Sequence, residues 1–345
     1  MHGGDIYRNK VKYDFSVNVN PLGMPKEVTE SLAEAITMAD KYPDLHCEEL
    51  SCELAKVLDI PGQLLVFGNG ASEIIMAICH YCEPESAMLV APGFSGYGNA
   101  LSGAVPQCKL FYHYLKEEED FELKDDILDS IEKTKPDLLF LTNPNNPNGR
   151  LIDGELLDRI QSKCHELGTT VIIDECFLPL TGRAKELTMI GRLKKESSVI
   201  VLRAFTKTFA MAGVRLGYGV CSNEALARGI GQHLPEWNIS VFAQKAGVAC
   251  IHDLEYVETS AEYIARERRK LADALRNAGF KIFSTDANYI LFKSEDIDLF
   301  DKLLSQGILI RDCQDYIGLS RGYYRVAVRS SEENEELVHH CRAEF

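Results

Sequence analysis

Several residues able to do chemistry stand along this chain, each just beyond an apolar run. Lys207 closes the segment Arg203-Ala204-Phe205-Thr206-Lys207 after residues 199–202, and Arg215 follows eight residues on. Asp174 ends the run 169–173, with Glu175 beside it. Asn146 lies in Asn143-Pro144-Asn145-Asn146-Pro147-Asn148-Gly149, after 137–141, and Phe94 follows Pro92-Gly93, after 86–90. Ahead of them all, residues 64–67 run into Gly68-Asn69-Gly70-Ala71-Ser72-Glu73 and then a helical pattern at 74–80. A lysine amine forms a Schiff base with an aldehyde. A carboxylate keeps a pyridine nitrogen protonated, so that the ring can absorb carbanion electrons. A glycine-rich turn at the mouth of a helix offers free backbone N–H groups to an anion such as a phosphate, or is a tight turn capped by Ser72. Phe94 either walls a planar ligand or packs in the core. A carboxylate such as Asp174 at the end of an apolar strand is costly to bury unpaired, so it should face a cation. Phosphate turn, aromatic wall, amide, carboxylate, amine and guanidinium, in that order, are the parts that pyridoxal phosphate chemistry requires.

The elements that must hold these groups follow from the runs themselves. Four to six β-branched and aliphatic residues bounded by Gly, Pro or Asn suit strands buried on both faces. Amphipathic segments such as 151–167 lie between them, and the alternation predicts an α/β fold with a mainly parallel sheet. In such sheets the reactive groups gather beyond the carboxyl ends of the strands. The pattern changes near Pro235-Glu236-Trp237-Asn238. One long charged helix is expected over 241–278, then short strands at 281–283, 289–292, 308–310 and 324–328. These predict a smaller α+β domain. The division expected is 1–40 as an N-terminal arm with part of the small domain, 41–240 as the large cofactor-binding domain, and 241–345 as the C-terminal small domain. The acidic run Glu117-Glu118-Glu119-Asp120 is expected to be a solvated loop or helix start.

Composition narrows the function classes. The 345 residues are 46% hydrophobic and 26% charged, the balance of a globular chain. Asp+Glu outnumber Lys+Arg 52 to 37, a formal charge of −15 that disfavours nucleic acid and anionic membranes as partners. A local arginine cluster could still take an anionic substrate. The eleven cysteines lack zinc-site spacing: Cys47/Cys52 and Cys79/Cys82 are the close pairs, and no second Cys-x-x-Cys follows. They are expected to be reduced, mostly buried thiols, with no metal. No apolar stretch reaches the ~20 residues that span a bilayer, and no signal-peptide pattern opens the chain, so a cytoplasmic location is expected.

The string Asn146-Pro147-x-Gly149, Asp174-x-x-Phe177, Thr206-Lys207 and Arg215-x-Gly217 is similar to the signature of fold-type I pyridoxal phosphate enzymes, the aspartate aminotransferase superfamily. The resemblance covers essentially the whole chain. Within the superfamily the chain resembles the histidinol-phosphate aminotransferase branch. More narrowly, it resembles the L-threonine-O-3-phosphate decarboxylases of cobalamin biosynthesis. The narrower likeness rests on His2-Gly3-Gly4, Asp14-Phe15-Ser16-x-Asn18-x-Asn20-Pro21-Leu22-Gly23, Tyr42-Pro43-Asp44, Pro92-Gly93-Phe94-x-x-Tyr97-Gly98, Ile308-Leu309-Ile310-Arg311 and Tyr323-Tyr324-Arg325-Val326-Ala327-Val328-Arg329.

The resemblance implies roles by position. Lys207 would carry the cofactor and shuttle protons, Asp174 would pair with the pyridine nitrogen, Asn146 would bond the ring oxygen and Phe94 would stack on the ring. Gly70, Ala71, Ser72, Thr206 and Arg215 would hold its phosphate, joined by Tyr42 from the other subunit of a homodimer. Arg325 would grip the substrate α-carboxylate and Arg311 the substrate phosphate, with His2 and Asn18 of the arm as further contacts. Arg329 is expected to be structural, and Glu73 and Tyr97 are unassigned. The chain departs from the family in having Ala204 three residues before the lysine, Phe177 for a tyrosine, and Asn148 in the Asn-Pro-x-Gly turn. The expected reaction is decarboxylation of L-threonine O-3-phosphate to (R)-1-amino-2-propanol O-2-phosphate. The alternative is an aminotransferase acting on histidinol phosphate or a small phosphate or phosphonate amino acid.

Overall fold

The structure is a computed structural model that describes residues 3–343. Its centre is a seven-stranded sheet made of β1 (Leu65–Gly68), β2 (Ser86–Ala91), β3 (Lys109–Tyr114), β4 (Leu138–Thr142), β5 (Thr170–Asp174), β6 (Val199–Ala204) and β7 (Gly217–Cys221). The order across the sheet is β1-β7-β6-β5-β4-β2-β3. All neighbours are parallel except at β7, which runs antiparallel to both β1 and β6. The carboxyl ends of β1, β2, β4, β5 and β6 therefore open on one edge.

Alternate residues of the central strands enter different cores. Leu139, Leu141, Val171, Ile173, Val199 and Val201 join one cluster, whereas Leu138, Phe140, Ile172, Ile200 and Leu202 join another. Both faces are covered, which is why these strands read as unbroken apolar runs. Helices α1 (Ala71–Cys82) and α2 (Gly154–Leu167) are among the covering elements. Asp153 caps α2 by accepting from the N–H groups of Glu155 and Leu156.

A second sheet, antiparallel, consists of β8 (Lys281–Ile282), β9 (Tyr289–Lys293), β10 (Arg311–Asp312) and β11 (Tyr323–Ala327) in the order β10-β11-β9-β8. The expected strand at 308–310 is divided. Ile308–Leu309 pairs with Tyr13–Asp14 of the arm, and β10 starts two residues later. The expected single helix is also divided, into α3 (Val241–Ile251) and α4 (Leu254–Asn277), because Asp253 leaves the helix and its carboxylate caps the N–H of Tyr256. Three strands escaped sequence reading altogether: Tyr13–Asp14 of the arm, β3 and β7.

The acidic run does more than meet solvent. Glu117 accepts from Lys281 (2.7 Å), Lys293 (3.0 Å) and the hydroxyl of Tyr323, joining the loop after β3 to three strands of the small sheet. Partial burial opposes its ionisation, but hydrogen bonds from Lys281, Tyr323 and Lys293 outweigh it and hold the carboxyl down at about 2. All eleven cysteines are free and most are buried. No helix among the described residues is long and apolar enough to cross a membrane.

Candidate active site

A cleft of about 270 Å³ lies at the carboxyl edge of the large sheet, closed on its far side by the arm and the small sheet. Its lining includes Ala71, Ser72, Phe94, Asn146, Asp174, Thr206, Lys207, Arg215, Arg311, Arg325 and Asn18, so most residues expected from sequence meet in one place. Gly70 lies just behind this lining. Its φ of +78° starts α1, and a Cβ there would sit 2.4 Å from the Arg215 guanidinium. Glycine is thus required on two counts, backbone conformation and the close approach of a cation. Tyr42 is not in the cleft. It is 81% exposed and lies against Trp237, with ring centroids 4.9 Å apart. His2 lies outside the described residues.

Lys207 sits in the short helix Phe205–Thr208 that follows β6. It makes no ion pair among the described residues. Burial, then the neighbouring guanidinium groups of Arg325 and Arg215, push its amine down to about 8. An amine so shifted is neutral often enough near pH 8 to attack a carbonyl carbon. The arm is tied to this segment: the Asn20 N–H donates to the Lys207 carbonyl (3.0 Å), and its side-chain amide donates to the Thr208 carbonyl (2.8 Å).

Asp174 makes no ion pair among the described residues, so the cation that its burial calls for is left for a ligand to supply. It accepts from the Tyr97 hydroxyl (2.8 Å) and from the Cys176 N–H (2.9 Å). The single Tyr97 proton goes to the carboxylate, so Thr142, also 2.8 Å from that hydroxyl, is the donor in their contact. Burial and the adjacent Asp174 push the Tyr97 phenol well up, which keeps it a donor. The next residue finds its cation within the protein: Glu175, fully buried, pairs with Arg203 at 2.8 Å. Tyr97 also carries Phe94 edge-on at 5.3 Å, so the aromatic wall and the carboxylate share one support.

Two arginines enter from the small sheet. Arg325 is 5% exposed and donates to Asn146 Oδ1, the Tyr316 hydroxyl (3.2 Å) and the Ser16 carbonyl (2.9 Å). Among the described residues no carboxylate pairs with it, and its Nε has no partner. Arg311, equally buried, donates to the Asp312 carbonyl and to Asp315 Oδ1, both at 2.7 Å. On the arm, the buried Asn18 Oδ1 likewise lacks a partner. Glu73 is a local cap, accepting from Asn69 N–H and Asn238 (2.7 Å each), and Arg329 pairs with Glu333 (3.0 Å). Sequence reading missed Tyr316 and the Ser16 carbonyl, whose roles exist only once the arm, the Asn146 turn and β11 are brought together.

The residues fit pyridoxal phosphate. A half-buried amine with no counter-ion among the described residues, an ordered carboxylate, an amide, an aromatic wall and a helix mouth beside Arg215 surround one cleft. What the cleft can do is hold a planar ring by one edge and an anionic substrate by the other.

The aminotransferase class I and II family model matches residues 10–340. Threonine-phosphate decarboxylase of Salmonella typhimurium is 38% identical over 331 residues, 94% of this chain and 89% of that protein. An adenosylcobalamin biosynthesis bifunctional protein of Leptospira interrogans is 33% identical over 98% of this chain, a match that takes in 40% of the longer protein. Among solved structures, histidinol-phosphate aminotransferase from Clostridium acetobutylicum superposes with a TM-score of 0.89 at 32% identity, covering 96% of this chain and 98% of that one.

Proposed function

Because the chain belongs to the aminotransferase class I and II family, we propose that it is a pyridoxal phosphate-dependent decarboxylase of phosphorylated amino acids. Its substrate is L-threonine O-3-phosphate, its product (R)-1-amino-2-propanol O-2-phosphate, and its setting cobalamin biosynthesis in the cytoplasm. The observation that carries this reading is the pair of buried guanidinium groups on the cleft beside Lys207, one of them without a carboxylate partner among the described residues. A buried guanidinium left without a counter-ion is costly, and an α-carboxylate is the group that its fork matches.

The bound cofactor supplies a conjugated electron sink for the pair left at the substrate Cα. Lys207 would hold it through the amine, Asp174 would meet its pyridine nitrogen and Asn146 its ring oxygen, and Phe94 would pack on the ring. Ala71, Ser72, Thr206 and Arg215 would receive its phosphate at the mouth of α1. Tyr42, exposed together with Trp237, meets a second copy of the chain, so the working form is a homodimer with shared sites. Arg325 would grip the α-carboxylate and so orient the bonds at Cα, and Arg311 would take the substrate phosphate, assisted by Asn18 on the arm. Once the substrate amine has displaced it from the cofactor, the Lys207 amine, near 8 when free, would be placed to supply the proton that replaces the departing CO₂ at Cα.

The deciding experiment supplies threonine phosphate, serine phosphate and histidinol phosphate without any keto acid and identifies the products by mass spectrometry. CO₂ and aminopropanol phosphate from threonine phosphate are expected. A requirement for a keto acid, with amino-group transfer and no CO₂, would establish the second reading, which the likeness to a histidinol-phosphate aminotransferase supports.

A further inference from the structure

Arg311 and Arg325 are register partners in the antiparallel pair β10–β11, so their side chains leave the same face of the sheet directly opposite each other. Like charges in that relation repel and tend to splay apart. A carboxylate between them would relieve the repulsion but would also fill the positions that two substrate anions need. The residue that meets both is Tyr316, in the loop between the two strands and 7% exposed. Its ring carries the Arg311 guanidinium at 5.0 Å from the centroid. Its hydroxyl accepts from Arg325 (3.2 Å) and donates to Asn146 Oδ1 (3.3 Å), to which Arg325 also donates, closing a triangle of three hydrogen bonds. The loop itself is braced by Tyr316 N–H to the Cys313 carbonyl and Leu319 N–H to the Tyr316 carbonyl, both at 3.0 Å.

We propose that Tyr316 is a positioning residue that sets the length of substrate this enzyme accepts, by fixing the separation between the two anion-binding guanidinium groups. The inference rests on the reading of the cleft as a site for a carboxylate and a phosphate on one small molecule. A neutral aromatic does this without adding a carboxylate to Arg325 or a second one to Arg311, which already pairs with Asp315: the π face attracts one guanidinium, and the hydroxyl tip orients the other. A rigid spacing admits a carboxylate and a phosphate set one distance apart and rejects a molecule one methylene longer, a difference that a well-formed site resolves by about 10-fold or more.

The test uses holoenzyme and two unreactive probes that lack the amine, the O-phosphates of 3-hydroxypropanoate and 4-hydroxybutanoate, with Kd measured by calorimetry. Wild type is expected to bind the shorter probe about 10-fold more tightly. Tyr316→Phe, which keeps the ring and loses the triangle, should narrow that preference to about 3-fold. Tyr316→Leu, which loses both contacts, should bring it close to 1. The proposal is overturned if wild type shows no preference or binds neither probe, or if both variants keep the wild-type ratio within twofold while affinity for both probes falls together. If Tyr316→Leu does not fold, the near-isosteric phenylalanine variant decides alone. Absence of CO₂ from threonine phosphate, with the probe ratio still collapsing in the variants, would sink the reaction and leave the spacing intact.

Discussion

Asp174 and Glu175 are consecutive, both buried, and treated in opposite ways. Glu175, with its Met189 N–H (2.7 Å), Thr188 (2.8 Å) and Arg203 partners, belongs to a closed ion pair behind the site. Asp174, turned to the cleft, has only neutral donors among the described residues, and two cations that line the same cleft, the half-buried Lys207 and the buried Arg325, have no carboxylate among those residues either. A strand places neighbours on opposite sides, so one residue step separates charge that has been neutralised for stability from charge kept open for ligands. The difference teaches how to tell a structural buried ion from a functional one: ask whether its counter-ion is already in the protein.

The sharpest way to break this comparison is to remove an arginine from each side. Arg325→Met should lower kcat/KM by about 10³-fold, since truncating one member of a desolvated charge pair costs several kcal/mol. The melting temperature of the cofactor-free protein should hold or rise, because an uncompensated cation has been deleted. Arg203→Met should do the reverse, destabilising the fold by about 3–5 kcal/mol by stranding Glu175, with the Glu175→Met/Arg203→Met double variant recovering most of the loss in denaturant titrations. Were both arginines to behave alike, the distinction would fail. A third measurement addresses Lys207 in the cofactor-free protein. The folded amine releases its proton near 8 and the unfolded one near 10.5, so wild type should gain stability as pH rises through that window. Lys207→Met should lack this gain and be more stable by up to about 3 kcal/mol at pH 7, while losing turnover. The smallest effect is expected on the structural side at Glu117. Glu117→Gln should cost about 1–2 kcal/mol above pH 4.5, where the depressed carboxyl contributes fully, and the cost should fade toward pH 2 as the wild-type carboxyl protonates.

Much of the site was legible because its residues sit at the ends of strands whose apolar runs are hard to miss. The runs closing at Asp174 and before Lys207 announced themselves as buried on both faces, and the Gly-Asn-Gly turn marked the start of α1. The strand β7 was not legible, for a physical reason. Gly217 and Gly219 break any apolar run, yet a Cβ on Gly217 would lie 2.5 Å from the Ala71 nitrogen, and one on Gly219 would lie 2.9 Å from a Val66 methyl. The strand needs glycine because it runs against the turn that begins α1 and against β1, so close packing erased the composition by which strands are recognised. The edge strand β3 was lost differently, since Lys109, His113 and Tyr114 break its apolar pattern. Arg203 and Arg325 could not be sorted by residue pattern, only by the family resemblance that singled out Arg325. Each is one arginine in a strand, and only the position of Glu175 separates their roles.

The hydrogen bonds from Asn20 onto the carbonyls of Lys207 and Thr208 carry a consequence for how the protein is assembled. The main chain beneath the reactive amine is held from outside its own segment, by a residue nearly two hundred positions earlier. A shortened version starting beyond Asn20 would strip two inward-facing oxygens of their donors and leave the lysine on a loosened floor. The arm is thus a keystone under the chemistry, one that locks only after the residue it supports has joined the chain.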